Sequence, residues 1–256
     1  MYNAFSSDYD RFVDWPARLA FEMPFLQSQL KEAGATRLLD AACGTGMHAI
    51  ALAQAGFDVA GADFSLGMIE RARTNAQAAQ VAVQFEQAGF GELEKVFGAG
   101  QFDVVLCLGN SLPHALSSEQ VAAALVDFAA SLKPGGLVII QNRNFDAVAA
   151  NRMRWMEPQA AREGEAEWLF LRFYDFDQDG LITFNIVTLH REGGNAWTQS
   201  VHSTRLRPLL ADEMRTALNT AGFQSISLYG DMKGMPFDPA TSGNLIVCAR
   251  RAPNDI

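Results

Sequence analysis

The chain has 256 residues, 49% of them apolar, which is enough to bury one large core or two small ones without staples and which excludes a disordered polypeptide. Its 29 acidic against 20 basic side chains give a formal charge of −9, which repels phosphate backbones, so a small-molecule partner is expected and a nucleic-acid partner is not. The three cysteines, Cys43, Cys107 and Cys248, lie far apart without disulfide or metal-ligand spacing, no apolar run reaches the length of a membrane span, and MYNAFSSDYD lacks the features of a signal peptide; the expectation is a cytoplasmic protein with no membrane contact and no metal.

Residues 1–35 read as an N-terminal helical cap. From about residue 36 to residue 140, strand-like runs at Arg37 to Ala41, Asp58 to Ala62, Ala82 to Gln87, Phe102 to Leu108 and Leu137 to Gln141 alternate with helical patterns, as a parallel sheet of βαβ units requires. The helices are expected to begin near Gly46, Ser65 and Ser118, with the two serines as N-caps, and Pro134-Gly135-Gly136 is expected to end the third. Beyond Phe145 the period changes. EWLFLRFYDF, LITFNIVTLH and TQSVHSTRLR have strand character and are joined by turn residues, so an antiparallel meander is expected within 147–205. One face of its first strand carries Trp168, Phe170, Arg172 and Tyr174 and the other carries Leu169, Leu171, Phe173 and Asp175. The strand could roof the ligand site or bury a dimer contact; one face is accounted for by packing, and an exposed apolar patch on the other would call for a partner, such as a second copy in a homo-oligomer. The α/β pattern then resumes with the helix LLADEMRTALNTAGF, stopped by Gly222, and with SISLYGD and NLIVCARR as an antiparallel pair. The fold class is α/β, a doubly wound, mostly parallel seven-stranded sheet formed by 36–146 and 206–256 with an inserted antiparallel subdomain.

The run LLDAACGTG places a glycine turn between a strand and a helix, and Gly44-Thr45-Gly46-Met47-His48-Ala49 fits the pattern of a dinucleotide-binding turn. Asp40, just upstream, would repel a pyrophosphate but attract an ammonium or a sulfonium. S-adenosylmethionine has both groups, and its methionyl tail can lie close to Gly44 and Gly46. Asp63, at the end of the second strand, can accept both hydroxyls of an adenosyl ribose, as it would in a nicotinamide enzyme. Phe64 and Phe90 can flank an adenine, or fill a core. A nicotinamide-dependent oxidoreductase and a non-catalytic cofactor-binding protein remain the rival readings of these residues.

LLDAACGTG, Asp63, LCLGNSLPHAL and LKPGGLVIIQNRNFD together resemble the class I S-adenosylmethionine-dependent methyltransferases, a Rossmann-like fold. Leu108-Gly109-Asn110-Ser111 with His114, and Asn142-Arg143-Asn144-Phe145-Asp146, are similar to the glycine and sarcosine N-methyltransferases. The resemblance implies S-adenosylmethionine as cofactor and a small-molecule acceptor, an amino acid amine first, another metabolite or an amino sugar as the alternative. It also implies that Arg18 binds the cofactor carboxylate and that Tyr9 folds over the cofactor. Ala42 would supply a backbone contact, Gly89 and Phe90 would meet the adenine, and Leu108, Asn110, Ser111 and His114 would stand behind the methionyl moiety. Asn144 matches a substrate-contacting asparagine. Methyl transfer by in-line displacement needs alignment more than a dedicated base, although His114 is a candidate to assist with the proton. For an acceptor carboxylate an arginine is expected, with Arg172, Arg191 and Arg205 of the meander as candidates and Tyr174 beside the first of them.

Overall fold

The computed structural model describes residues 9–253, so the first eight residues of the expected cap and the last three of the chain lie outside the described part. Asp14 accepts a hydrogen bond from the Ala17 N–H at 3.1 Å and, with Pro16 in the first turn, starts helix α1, Trp15–Glu32. Then Arg37–Asp40 (β1), Met47–Gln54 (α2), Asp58–Asp63 (β2), Leu66–Ala78 (α3), Gln84–Gln87 (β3), Leu93–Phe97 (α4), Phe102–Cys107 (β4), Ser118–Ser131 (α5) and Leu132–Arg143 (β5) alternate as the apolar pattern implies. Ser65 caps α3 by accepting from the Met68 N–H at 3.2 Å. The cap of α5 is Ser117 and not Ser118. Of the two adjacent serines only Ser117 has the extended backbone of a cap, and its hydroxyl accepts from the Gln120 N–H.

The sheet runs in the order β10-β11-β5-β4-β1-β2-β3, where Phe223–Tyr229 (β10) and Asn244–Arg251 (β11) form the expected terminal pair. Strand β11 is antiparallel to both its neighbours, and the strands from β5 to β3 pair in parallel. Alternate side chains feed two cores. Leu38, Val104 and Leu106 pack with Phe25, Leu26 and Leu30 of α1 and with α2 and α3. Leu39, Val105 and Cys107 pack under α4, α5 and a later helix α7, Ala211–Thr220. Burial on both faces explains why these strands are continuous apolar runs. Helix α4 and the seven-residue α6, Phe145–Asn151, are too short to leave a readable 3.6-residue period and were not anticipated.

Gly46 shows how tightly the first crossover is built. Its φ is +82°, and a Cβ there would lie 2.8 Å from Phe85 Cζ and 2.9 Å from Ala72 Cβ. Left-handed backbone costs a residue with a side chain about 1–2 kcal/mol, and overpacking adds about 1–3. Gly46→Ala is therefore expected to lower the melting temperature by roughly 5–10 °C, measured by thermal denaturation without ligand.

The inserted region forms a second sheet of Gln159–Glu163 (β6), Ala166–Phe176 (β7), Ile182–Glu192 (β8) and Thr198–Leu206 (β9), each antiparallel to the next. The three expected runs are β7 to β9. The edge strand β6, QAARE, has no apolar alternation to reveal it. Trp168, Phe170 and Tyr174 are buried on the inner face of β7, packing on Tyr9, Phe12, Phe145 and Phe184. On the outer face Leu169, Leu171 and Phe173 are half-buried, and Trp155, 65% exposed, lies against the Phe173 ring at 5.0 Å. No described helix is long and apolar enough to cross a membrane.

Candidate active site

The carboxyl ends of β1, β2 and β4 open into a cavity of about 750 Å³. Parallel sheets bind ligands there, because the loops that leave the strands diverge. Tyr9, Arg18, Asp40, Ala42, Gly44, Asp63, Phe64, Gly89, Phe90, Leu108, Asn110, Ser111 and His114 all line this cavity. Gly46 does not. It is buried behind the turn against Phe85 and Ala72, so its part is to let α2 start close to the sheet. Phe64, 80% exposed on the cavity wall, has no core role, whereas Phe90 is anchored edge-on to Phe128 at 5.5 Å. Trp15, Met68, Glu92, Gln120 and Thr204 also line the cavity and were not anticipated, having no motif around them.

Asp40 Oδ1 is buried and has no hydrogen-bond partner. Burial pushes the Asp40 carboxyl up to about 7, against the pull of the Ala42 N–H, while the Asp63 charge raises it further. An orphaned carboxylate oxygen in a cavity wall is satisfied by a cationic ligand group, so the site fits a cofactor with ammonium and sulfonium groups. Asp63 accepts from the Gly44 N–H through Oδ2 and from the Ser65 N–H through Oδ1, both at 2.9 Å. It therefore fixes the glycine turn and the next βα turn at once, and each oxygen retains a lone pair for a hydroxyl. Asp10 holds the other side of that turn, accepting from Thr45 Oγ1 at 2.6 Å, Arg71 at 2.9 Å and Asn75 at 3.2 Å.

Arg18 enters from α1, and its Nε donates to Glu22 Oε2 at 3.1 Å. Glu22 is also bonded to His48 at 2.6 Å and to Gln141 Nε2 at 2.8 Å. Gln141 in turn accepts from the Gly109 N–H at 3.0 Å and, through its carbonyl, from the Asn110 N–H at 2.9 Å. These contacts place Arg18 over Gly109, at the edge of the 108–111 loop.

On the acceptor side the structure separates the expected residues. Asn144 is 2% exposed and caps α6: its Oδ1 accepts from the Ala147 N–H and its Nδ2 donates to the carbonyls of Pro239 and Ser242. Its capacity is filled by the chain; it does not line the cavity, and neither do Arg143, Arg172 or Tyr174. Arg191 pairs with Glu167 at 2.6 Å, and Arg205 pairs with Asp177 and Asp179, so both are tied to the meander. Arg172 differs. It lies on the inner face of β7, 4.8 Å from the Phe12 ring, its Nε is buried without a partner, and it forms no ion pair among the described residues. Burial and the neighbouring Arg143 guanidinium push the Arg172 guanidinium below its usual value. Arg143, which follows Asn142 at the end of β5, shares these traits: its Nε is buried and unpartnered, while its N–H donates to Asn110 Oδ1 at 3.0 Å. Tyr174 is buried beside both, and burial pushes its hydroxyl up. Burial holds His114 down at about 4, so it is neutral at pH 7 and too weak a base to keep an amine's proton.

A sheet of this order, with a cavity over the first glycine turn lined by an orphaned Asp40 and by Asp63 at the end of β2, fits the class of S-adenosylmethionine-dependent methyltransferases. A methyltransferase-domain family matches residues 38–136. The chain is 33% identical, over 90% of its length and 82% of the relative's, to the glycine/sarcosine N-methyltransferase of Aphanothece halophytica, and it belongs to that family. Among solved structures it is similar to an S-adenosylmethionine-dependent methyltransferase from Clostridium acetobutylicum, with a TM-score of 0.78 at 16% identity over 98% of this chain and 99% of that one. It is also similar in fold to a sugar N-methyltransferase from a Streptoalloteichus species, with a TM-score of 0.77 at 21% identity over 98% and 93% of the two chains.

Proposed function

We propose that this methyltransferase acts on the amine nitrogen of a small amino acid of the glycine or sarcosine type, and that Arg143 and Arg172 hold the acceptor's carboxylate. The observation that carries this reading is that Arg143 and Arg172 each hold a buried Nε without a partner, which no other arginine does among the described residues. Arg154, Arg162, Arg191, Arg205 and Arg207 each meet a carboxylate of the chain, whereas Arg143 and Arg172, the two that stand near Tyr174, meet none among the described residues. Burying a guanidinium without a counter-ion is costly, and a ligand anion removes the cost. The names of the relatives matched over about four-fifths of their length support the same acceptor class.

In this reading Asp40 faces the cofactor's ammonium, Arg18 its carboxylate, Asp63 its ribose, and Phe64 with Phe90 its adenine. When bound, the cofactor supplies an electrophilic methyl group on sulfur. The chain's own task is to hold the acceptor nitrogen in line with that methyl and to keep the nitrogen unprotonated. Two guanidiniums beside the amine disfavour its ammonium form, and His114, neutral and half-buried, adds wall without adding charge. The three buried free thiols suit a reducing, cytoplasmic setting. The test is a panel of glycine, sarcosine, an amino sugar and a phenol incubated with S-adenosylmethionine and read as methyl mass gain. Gain on the amino acids supports the reading. Gain on the sugar or the phenol alone overturns the acceptor assignment.

A further inference from the structure

We propose that Glu22 positions Arg18 for the cofactor's carboxylate, acting with His48 and Gln141 as a buried clamp. The proposal rests on reading the cavity as the cofactor site and Arg18 as the cation in it. Glu22 is 4% exposed and is not part of the cavity wall, yet it is a charged group in the middle of α1 facing the sheet. A buried carboxylate persists only when donors surround it. Here three do: Arg18 Nε at 3.1 Å, His48 Nε2 at 2.6 Å and Gln141 Nε2 at 2.8 Å. Burial alone would raise the Glu22 carboxyl, but the His48 bond, the Arg18 charge and the Gln141 bond outweigh it and hold the group at about 2. Burial lowers His48, and because the Glu22 carboxylate can only accept, Nε2 is the donor in their bond, with the ring edge-on to Trp15 at 5.4 Å.

The consequence for Arg18 is geometric. An arginine otherwise loses substantial rotamer entropy when a ligand immobilises it. Here one edge of its guanidinium is fixed by Glu22, its face is 5.2 Å from the Trp15 ring, and its Nη2 reaches Gln141 Oε1 at 3.4 Å. Gln141 also holds the Gly109 N–H, so the same side chain sets the distance between Arg18 and the loop that carries Asn110. The clamp reaches across three elements, Glu22 on α1, His48 on α2 and Gln141 on β5, and of the three only His48 belongs to the glycine-turn run and lines the cavity.

The test compares two ligands that share the adenosine and the sulfur but differ in the amino acid tail. S-adenosylhomocysteine has the carboxylate that Arg18 would meet; methylthioadenosine lacks it. By isothermal titration, Glu22→Gln is expected to weaken S-adenosylhomocysteine about 10-fold and to leave methylthioadenosine unchanged. His48→Gln is expected to show the same selectivity at a smaller size, and it serves as the test should Glu22→Gln not fold. Equal weakening of both ligands, or of neither, overturns the positioning role. Failure of the unsubstituted protein to bind S-adenosylhomocysteine would instead overturn the reading of the cavity, and the clamp with it.

Discussion

Asp40→Asn is expected to weaken S-adenosylmethionine binding about 30-fold while making the ligand-free protein more stable above pH 7. The first effect follows from the loss of a charge-assisted contact of about 2 kcal/mol to the ligand's ammonium. The second follows from linkage. The carboxyl is held at about 7 in the folded chain against an ordinary value of 3.8, so the folded state takes up a proton that the unfolded state has released. That contribution to stability is complete below about 3.8 and is lost as pH rises through 7. Above pH 7 the folded protein must hold an ionised, buried and half-satisfied carboxylate at a cost of at most about 4 kcal/mol, which asparagine does not incur. Calorimetry at pH 6 and pH 8 checks both halves. The native protein should bind the cofactor more tightly at pH 8, where Asp40 is ionised, and the variant should show little of that pH dependence. A variant that binds like the parent, or that melts lower at pH 8, contradicts the role given to Asp40.

Arg143→Gln is expected to raise the KM for glycine about 100-fold while leaving cofactor affinity unchanged. A carboxylate held by a guanidinium fork in a buried setting contributes about 2–3 kcal/mol, more than an exposed pair does. Arg143→Lys keeps the charge but loses the fork, and should recover only part of the affinity. Arg172→Gln should act in the same direction, whereas Arg205→Gln, whose parent side chain is paired with Asp177 and Asp179, should leave KM unchanged. Steady-state kinetics on the set, with cofactor binding measured separately, separates an acceptor anchor from a general structural loss.

Legibility in the sequence followed locality. Asp40, Gly44 and Asp63 sit at strand-to-helix turns, where chain neighbours are also site neighbours, and they lie where the motif implies. The residues proposed for the acceptor come from a place where a one-residue difference decides everything. Asn142-Arg143-Asn144 runs off the end of β5, and only the three-dimensional course shows that Asn144 turns inward to cap α6 while Arg143 keeps its buried, unpartnered Nε. Within the meander, Arg172, Arg191 and Arg205 look alike in sequence because their partners are contributed across the sheet or by a turn, Glu167 in one case and Asp177 with Asp179 in the other. One signal was present: Arg172 alternates with Trp168, Phe170 and Tyr174, a lone charge on an apolar face. The Glu22, His48 and Gln141 clamp left no signal at all, because its members are brought together only when α1 and α2 pack on the same face of the sheet.

In the proposed function the methyl acceptor is an amine presented by an anchored carboxylate. This is tested most directly by comparing kcat/KM for glycine with that for glycinamide, which has the same amine and no anion, at a pH where both amines are partly neutral. A preference for glycine of about 100-fold that collapses in Arg143→Gln is expected. Equal use of the two acceptors by the unsubstituted enzyme would contradict it.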